Sequence, residues 1–183
     1  MTHKLSIQEM NRLTVEEFKQ SGKVPLTVVL DNIRSLNNIG SVFRTADAFR
    51  VEHIALCGIT ATPPHREIHK TALGAEDSVS WSHHDDAAQC LQGLRQQGYL
   101  IFAIEQVSDS IKVGSPEWEA SRDWNAPVAI VLGNEIEGVQ ESLLPLCDGS
   151  IEIPQFGTKH SLNVSCAAAI VIWEIFKKVR NVE

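Results

Sequence analysis

The sequence lacks several features that would place it in other protein classes. Its longest apolar run, Cys166 to Trp173, has eight residues, whereas a helix that spans a bilayer needs about twenty. The first residues contain no apolar core of a signal peptide. The four cysteines form no CxxC pair, which indicates reduced thiols in a cytoplasmic protein. We therefore expect neither a membrane span nor a disulfide framework.

A surplus of basic residues is also missing, because the formal net charge is -7. This excludes a uniformly basic surface for nucleic acid, but the charge is uneven along the chain. Residues 71–152 carry three basic and fourteen acidic side chains, whereas residues 32–70 carry five and three, and residues 153–183 four and two. An anionic partner should meet the latter two segments. The alternative is that the middle segment is simply a solvated acidic face.

The chain has the length and apolar content of one globular domain, with 183 residues of which 43% are hydrophobic. We predict a short helical appendage over residues 1–24 and a main domain over residues 25–183. Two S/T-x-x-E capping boxes, beginning at Ser6 and Thr14, predict two short helices in the appendage. Gly22 suits the end of the second helix.

After Pro25, strand-like runs alternate with helical stretches. The strand-like runs are 26–30, 53–57, 99–104, 128–132 and 150–153, and the helical stretches include 39–49, 85–97 and 162–179. This alternation predicts an α/β fold with a mainly parallel sheet flanked by helices. Ligands of such sheets bind beyond the carboxyl ends of the strands.

Three polar segments follow predicted strands, and each has an ordinary structural explanation when taken alone. Asparagines before Gly40 cap helices in many proteins, and an arginine on a helix is usually solvated. A Gly133-Asn134-Glu135 turn with a second glycine lets backbone segments or a ligand approach closely. Ser161 could be only a helix N-cap, whereas Asn163 within a predicted helix should have a hydrogen-bond partner.

Together, and in this order, the three segments resemble the three motifs of the SpoU (TrmH-like) branch of the SPOUT RNA methyltransferases. The segments read Asn38-x-Gly40-x3-Arg44, then Leu132-Gly133-Asn134-Glu135-x2-Gly138, then Ile153-Pro154-x2-Gly157-x3-Ser161-Leu162-Asn163-Val164-Ser165. The resemblance extends from Leu26 to the end of the sequence. The third motif is the most specific of the three.

The resemblance implies an α/β fold whose C-terminal part forms a deep trefoil knot, which general fold rules would not suggest. It implies S-adenosylmethionine as the cofactor, with no metal, and methyl transfer to the 2′-hydroxyl of a ribose in tRNA or rRNA. A homodimer is implied as well. By position in the motifs, Leu132, Gly133, Ile153 and Leu162 would bind the cofactor.

The same carry-over makes Arg44 the catalytic arginine, supported by Asn38, Glu135, Ser161 and Asn163. A family mechanism casts this arginine as a base, but a guanidinium normally remains protonated in proteins. A phosphate clamp that also stabilises charge on the ribose oxygen is the physically safer hypothesis. The sequence leaves both hypotheses open.

Two further expectations concern surfaces. The bases in or beside the two positive segments, Arg34, Arg66, Lys70 and Lys159, are predicted to contact RNA phosphates. The last predicted helix is apolar nearly all round, and such a helix must be covered on every side. It is therefore either a core helix within one subunit or part of a homodimer interface, and we predict the homodimer.

Three alternatives compete with this interpretation. His65 and His69 have a spacing that can chelate a metal on a helix, although a third ligand is not evident. Trp118 and Trp124 could stack on a base or could pin a loop onto the core. A protein with the same fold could also bind RNA without catalysing methyl transfer.

Overall fold

A parallel sheet forms the centre of the protein in a computed structural model that describes residues 2–6, 9–120, 124 and 126–180. The strands in this part of the chain are β1 (Val24–Asp31), β2 (Val51–Cys57), β3 (Ser80–His84), β4 (Leu100–Ile104), β5 (Ile111–Lys112), β6 (Val128–Leu132) and β7 (Gly149–Glu152). Their order across the sheet is β3-β2-β1-β6-β4-β7-β5, and each neighbouring pair is parallel.

Helices connect and cover the strands. They are α1 (Val15–Gln20), α2 (Leu36–Ala48), α3 (Arg66–Ala72), α4 (Ala75–Ser78), α5 (Ala87–Gln96), α6 (Pro116–Ala120) and α7 (Val164–Arg180), with a 3₁₀ turn at Leu144–Leu146. The predicted α/β class with a parallel sheet is confirmed. None of the helices described is long and apolar enough to cross a membrane.

The central strands are apolar without alternation because both of their faces are buried. In β1, Val28 and Leu30 pack in the core beneath α2 and α7, whereas Val29 packs in a second core beneath α5. In β6, Ile130 faces the first core and Val131 the second. The sheet is therefore covered on both sides, as the continuous apolar runs predicted.

The five predicted strands correspond to β1, β2, β4, β6 and β7, and the three predicted helices to α2, α5 and α7. The sequence did not reveal β3 and β5, which lie at the two edges of the sheet. β3 is the polar segment Ser-Trp-Ser-His-His, and β5 has only two residues. Edge strands are covered less than central ones, so their sequences carry little apolar signal.

The second of the two helices predicted in the N-terminal segment is present as α1. At Thr14 the capping box forms as predicted, with reciprocal hydrogen bonds between Thr14 and Glu17 at the start of α1. Ser6 and Glu9 also exchange hydrogen bonds, but residues 7 and 8 lie outside the described part, and residues 9–11 form a turn. Phe18 of α1 is buried in the first core.

The strand order determines where the three motifs meet. β1, β6, β4 and β7 are consecutive in the sheet and parallel, so their carboxyl ends lie along one edge. The segments that leave these strands begin at Asn32, Gly133, Glu105 and Ile153. Motifs far apart in the sequence are thereby brought to one place, as expected for an α/β protein.

Candidate active site

A cavity of about 690 Å³ opens at this edge of the sheet. It is lined by residues 104–107, 132–139, 141, 144, 151–153, 155, 160–164 and 167. The second and third motifs therefore form its walls, together with the end of β4. Its volume lies within the range of small-molecule sites, which is roughly 300–1,000 Å³.

A chain of side-chain hydrogen bonds joins the three motifs beside the cavity. The Asn38 side-chain amide donates to Glu135 Oε1 at 3.1 Å, and Asn38 Oδ1 accepts a hydrogen bond from Asn163 Nδ2 at 3.1 Å. Asn38 is nearly buried, with 9% of its surface exposed. One residue from each motif thus takes part, although Asn38 is 97 positions from Glu135 and 125 positions from Asn163 in the sequence.

Glu135 also accepts hydrogen bonds from backbone N–H groups just before α2. Its carboxylate accepts hydrogen bonds from the backbone N–H of Arg34 at 3.1 Å and of Ser35 at 3.0 Å. Partial burial raises the pKa of Glu135, but the hydrogen bonds from Arg34, Ser35 and Asn38 outweigh it, so the pKa lies below its usual value. Glu135 is therefore ionised at neutral pH, and both of its oxygens are engaged in holding α2 to the second motif.

Two glycines make the turn of the second motif close-packed. A Cβ atom on Gly133 would lie 2.0 Å from the carbonyl oxygen of Gly138. The Gly138 N–H donates to the carbonyl of Asn134 at 2.9 Å, and Gly138 has φ of +71°, a conformation that favours glycine. The atoms that lie closest to Gly133 are thus backbone atoms of the same turn, in Gly138 and Val139.

The third motif ends in the cap of α7. Asn163 Oδ1 accepts from the backbone N–H of Ser165 at 2.9 Å and from its hydroxyl at 2.6 Å. Asn163 therefore caps the helix, and the alternative that Ser161 is the N-cap is wrong. Asn163 is exposed rather than buried, yet it has the partner expected of it in Asn38.

The cavity combines apolar side chains with negative charge. Among its described lining residues, five are glutamates, at positions 105, 135, 137, 141 and 152, and His160 is the basic side chain. Such a wall repels phosphate groups and favours a cation. S-adenosylmethionine carries a sulfonium and an ammonium group beside an apolar adenine, so the chemistry and volume of this cavity suit it.

The four residues predicted to bind the cofactor, Leu132, Gly133, Ile153 and Leu162, all line this cavity. Leu132 is buried at the end of β6, whereas Leu162 is 39% exposed. Ser161 is exposed on the same wall. The structure therefore gathers the residues of the second and third motifs in one place.

Arg44 lies elsewhere. It follows Asn38 by six residues on α2, which corresponds to about 9 Å along the helix and about 240° around its axis. Arg44 is exposed and lines a shallow second cavity of about 460 Å³ between α2, α3 and α7. Lys70 and Ala169 line the same surface. Within one chain, Arg44 is thus separated from the walls of the first cavity.

The four residues predicted to contact RNA are all exposed, but they do not form one cluster. Arg34 precedes α2, whereas Arg66 and Lys70 lie on α3 and Lys159 lies in the segment between β7 and α7. Lys70 makes an ion pair with Glu67 at 2.7 Å. Exposed ion pairs of this kind contribute little to stability, so Lys70 remains available to an anionic ligand.

The competing interpretations of the histidines and tryptophans lose support. His65 caps α3 by accepting the N–H of Glu67, and His69 contacts Glu76 at 2.6 Å. No group of three metal-binding side chains occurs in the part of the chain that the structure describes. Trp118 and Trp124 are both buried, with ring centroids 4.8 Å apart, so they pack in the core rather than present a face to a base.

Among the residues of the first cavity that sequence reasoning missed are Glu105 and Gln106, which follow β4. They belong to none of the three motifs and follow an ordinary buried strand. The strand order could have revealed them, because β4 lies between the two strands that lead into the cavity-forming motifs. However, local sequence patterns do not give the order of the strands in the sheet.

Comparisons with known proteins agree with this geometry. The profile of the SpoU rRNA Methylase family matches residues 25–173. A tRNA (guanosine(18)-2′-O)-methyltransferase of Thermus thermophilus is 31% identical over 169 residues, which cover 91% of this chain and 81% of that protein.

Solved structures show the same fold. A TrmH/SpoU tRNA modifying enzyme of A. aeolicus superposes with a TM-score of 0.78 at 24% identity, covering 91% of this chain and 83% of that one. An AdoMet-bound rRNA methyltransferase of Sinorhizobium meliloti gives 0.75 at 26% identity, covering 90% of this chain and 59% of that one. The three motifs, the sheet that assembles them and these similarities lead to one conclusion: the chain belongs to the SpoU rRNA methylase family.

Proposed function

We propose that this protein transfers the methyl group of S-adenosylmethionine to the 2′-hydroxyl of a ribose in tRNA or rRNA. The observation that carries the proposal is the hydrogen-bonded chain from Asn38 to Glu135 and Asn163, which assembles the three motifs beside a cavity suited to a cationic cofactor. A tRNA or rRNA substrate also fits the cytoplasmic location expected from the cysteines.

In this proposal the first cavity holds the cofactor. Leu132, Ile153 and Leu162 supply apolar contacts, and the backbone beside Gly133 supplies hydrogen-bonding groups. When bound, S-adenosylmethionine provides a methyl group that a hydroxyl oxygen can attack. The chain itself has to orient the ribose hydroxyl, stabilise the negative charge that develops on its oxygen and receive or release its proton.

Asn38, Glu135 and Asn163 act as positioning residues. Their polar atoms are already engaged with one another and with the starts of α2 and α7, which leaves little capacity for proton transfer. Ser161, with an exposed hydroxyl on the cavity wall, is assigned to a hydrogen bond with the substrate.

Arg44 is assigned to the clamp that holds a phosphate and stabilises charge on the ribose oxygen, because an exposed guanidinium keeps its charge. Its separation from the first cavity within one chain means that this role requires a second subunit. We therefore assign each active site to two copies of the chain, one contributing the cavity and the other Arg44.

The homodimer is supported by the outer face of α7. Ala168, Val171 and Ile172 of this helix are fully buried, but Ile170 and Trp173 remain 37% and 38% exposed. Trp173 packs against Phe49 of the turn after α2, so the exposed apolar surface continues beside Arg44. Light scattering should give a mass of twice 20.2 kDa.

The deep trefoil knot also belongs to this proposal. Its support is membership of the family and the position of β7, the last strand, between the earlier strands β4 and β5. A knot formed by the C-terminal part requires a late segment of the chain to pass between earlier ones, and β7 occupies such a position.

The function is tested by incubating the purified protein with S-adenosylmethionine carrying a labelled methyl group and with tRNA and rRNA from cells that lack the gene. Digestion to nucleosides and mass spectrometry should reveal 2′-O-methyl nucleosides. RNA binding without any methyl transfer would instead support the non-catalytic alternative.

A further inference from the structure

We propose that Glu105 and Gln106 are positioning residues that hold the two loops of the first cavity at a fixed separation. The first loop comprises residues 133–139, and the second comprises residues 153–163. The proposal rests on the proposed function only in naming S-adenosylmethionine as the ligand between the loops. The contacts themselves are independent of that assignment.

The strand order places these two residues between the loops. β4 pairs with β6 on one side and with β7 on the other, and all three strands run in the same direction. The first loop leaves β6 and the second leaves β7, so the segment that leaves β4 lies between them. Because this dipeptide follows the end of β4 directly, its side chains are close enough to reach both neighbouring loops.

Glu105 holds the first loop. Its Oε2 atom accepts the backbone N–H of Val139 at 3.0 Å, and its Oε1 atom accepts the N–H of Gln106 at 2.9 Å. A Cβ atom on Gly138 would lie 2.2 Å from Glu105 Oε2, so the carboxylate packs directly against the turn. Gly138 is therefore in close contact both with Gly133 of the same turn and with the carboxylate of Glu105.

Gln106 holds the second loop. Its Nε2 atom donates to the carbonyl oxygen of His160 at 3.0 Å. His160 directly precedes Ser161 and Leu162, which line the cavity. The backbone N–H of Glu105 donates to the carbonyl of Ile151 at 3.2 Å, which anchors the dipeptide to β7 as well.

Both contacts lie beyond the ends of the strands and join polar groups, although the side chain of Val139 packs in the second core. Their effect is on the width of the cavity and on the mobility of its walls. A wall that is held in place before the ligand arrives loses less conformational entropy on binding, so affinity is gained without a direct contact.

Two nearly isosteric variants test the proposal. In Glu105→Gln the single amide oxygen can accept only one of the two N–H groups, and in Gln106→Glu an oxygen replaces the donor that faces the carbonyl of His160. Each variant should raise the Kd for S-adenosylmethionine about tenfold, as expected for a lost hydrogen bond to or from a polar loop. The KM for the cofactor should rise similarly while kcat at saturating cofactor stays within about twofold.

Amide hydrogen exchange provides the readout that distinguishes positioning from a general loss of stability. Glu105→Gln should accelerate exchange in residues 136–140, and Gln106→Glu in residues 158–162, each with little change in the other loop. The melting temperature should stay within about 2 °C of the wild type, because no core contact is removed. Acceleration of neither loop would overturn the proposal.

Glu141→Gln is the matched control, since Glu141 is an exposed carboxylate that also lines the cavity. It removes the same charge as Glu105→Gln without touching Val139. An equal rise in Kd in both variants would overturn the proposal in favour of a purely electrostatic effect. If the wild type failed to bind S-adenosylmethionine, the proposed function would fail, whereas exchange measured without cofactor would still test the contacts of Glu105 and Gln106.

Discussion

The two cavities differ in the sign of their charge and in the way their walls are held. The first is surrounded by glutamates, and its loop 133–139 is held by hydrogen bonds to neighbouring segments. Asn134 Nδ2 donates to the carbonyl of Asn32, Glu135 accepts the backbone N–H of Arg34, and Glu105 accepts the backbone N–H of Val139. The second is shallow, contains Arg44 and Lys70, and is formed by side chains that project from helices. The walls of the first cavity are mainly loops, whereas those of the second are helix side chains, including the exposed Arg44 and Lys70.

This difference matches the different ligands that we propose for the two surfaces. A preformed acidic cavity suits a small cationic cofactor, whereas exposed cationic side chains suit a phosphate backbone. Substitutions in the first surface should therefore change cofactor affinity, and substitutions in the second should change turnover or RNA affinity. The predictions for Arg44, Gly133 and Lys70 test this separation, and the last prediction concerns stability.

The largest effect is expected for Arg44→Ala, because it removes the charge that would stabilise the developing oxyanion. The rate of methyl transfer at saturating substrates should fall by on the order of a hundredfold, as when an oxyanion donor is lost. The Kd for S-adenosylmethionine, measured by calorimetry, should change by less than about threefold, because ground-state cofactor contacts are left intact. Near-normal turnover would contradict the assignment of Arg44.

Mixed dimers locate the site that Arg44 serves. When Arg44→Ala subunits are unfolded and refolded together with subunits carrying Gly133→Ala, and activity is measured at a cofactor concentration well below the Kd of Gly133→Ala, mixed dimers should be more active than either variant alone. The intact cavity of one subunit then meets the Arg44 of the other. A mixture that stays inactive would indicate that Arg44 acts within its own chain.

The second effect concerns the backbone of the first cavity. Gly133→Ala places a Cβ atom 2.0 Å from the carbonyl oxygen of Gly138, so the turn has to open. We expect the Kd for S-adenosylmethionine to rise by roughly thirtyfold or more, since the overlap displaces backbone rather than a flexible side chain. Gly93→Ala on α5, where nothing lies within 4 Å, is the control and should leave the Kd unchanged.

The third effect concerns the second surface and RNA. Lys70→Glu should weaken RNA binding about tenfold at physiological salt and should reduce the dependence of log Kd on log salt concentration, because fewer counterions are released. Cofactor affinity should remain the same. Lys112→Glu, an equal charge reversal at the far edge strand β5, is the control. Equal losses in the two variants would indicate a general charge effect rather than a defined surface.

The smallest effect is on stability and concerns Asp31 at the end of β1. Burial raises the pKa of Asp31 and repulsion by Asp86 adds to this, although a hydrogen bond from Gln140 partly opposes it. Because the pKa is raised on folding, the favourable contribution of Asp31 is complete below its unfolded pKa of about 3.9 and is lost as the pH rises through its folded value.

Asp31→Asn removes this titration. The free energy of unfolding of the variant should therefore increase relative to that of the wild type as the pH rises from about 4 to 7, which means that the variant becomes relatively more stable. Urea unfolding at several pH values measures the difference. His53, whose pKa is lowered mainly by burial, destabilises both proteins equally as the pH falls, so it cancels. A difference independent of pH would contradict the prediction.

The sequence allowed much of the central sheet to be predicted, and the four residues predicted to bind the cofactor lie together at the first cavity. β1 and β6 are continuous apolar runs, and the polar residues that follow them lie where parallel strands place their ligands. Leu132 and Gly133 were found because their motif is contiguous. Asn163 was suspected because an asparagine is unfavourable within a helix, and its partner Asn38 explains its presence.

Other features depend on contacts that no local pattern records. Glu105 is one glutamate among many, and its importance follows from the position of β4 between β6 and β7. The separation of Arg44 from the first cavity depends on which way α2 faces. The exposed edge of α7 is visible only once its buried face is known, because the helix is apolar on both.

The order of the strands also has a consequence for the synthesis of the protein. β2 finds both of its neighbours within the first 84 residues, whereas Leu26 of β1 pairs with Val128 of β6, about a hundred residues later. Contacts this distant in sequence form slowly, and a growing chain folds from its N-terminus. On the ribosome, β1 must therefore wait with one side uncovered until β6 emerges. The part of the second surface that α2 and α3 form can fold early, but both cavities also include residues of α7, Ala167 and Ala169, and are complete only when that helix has left the ribosome.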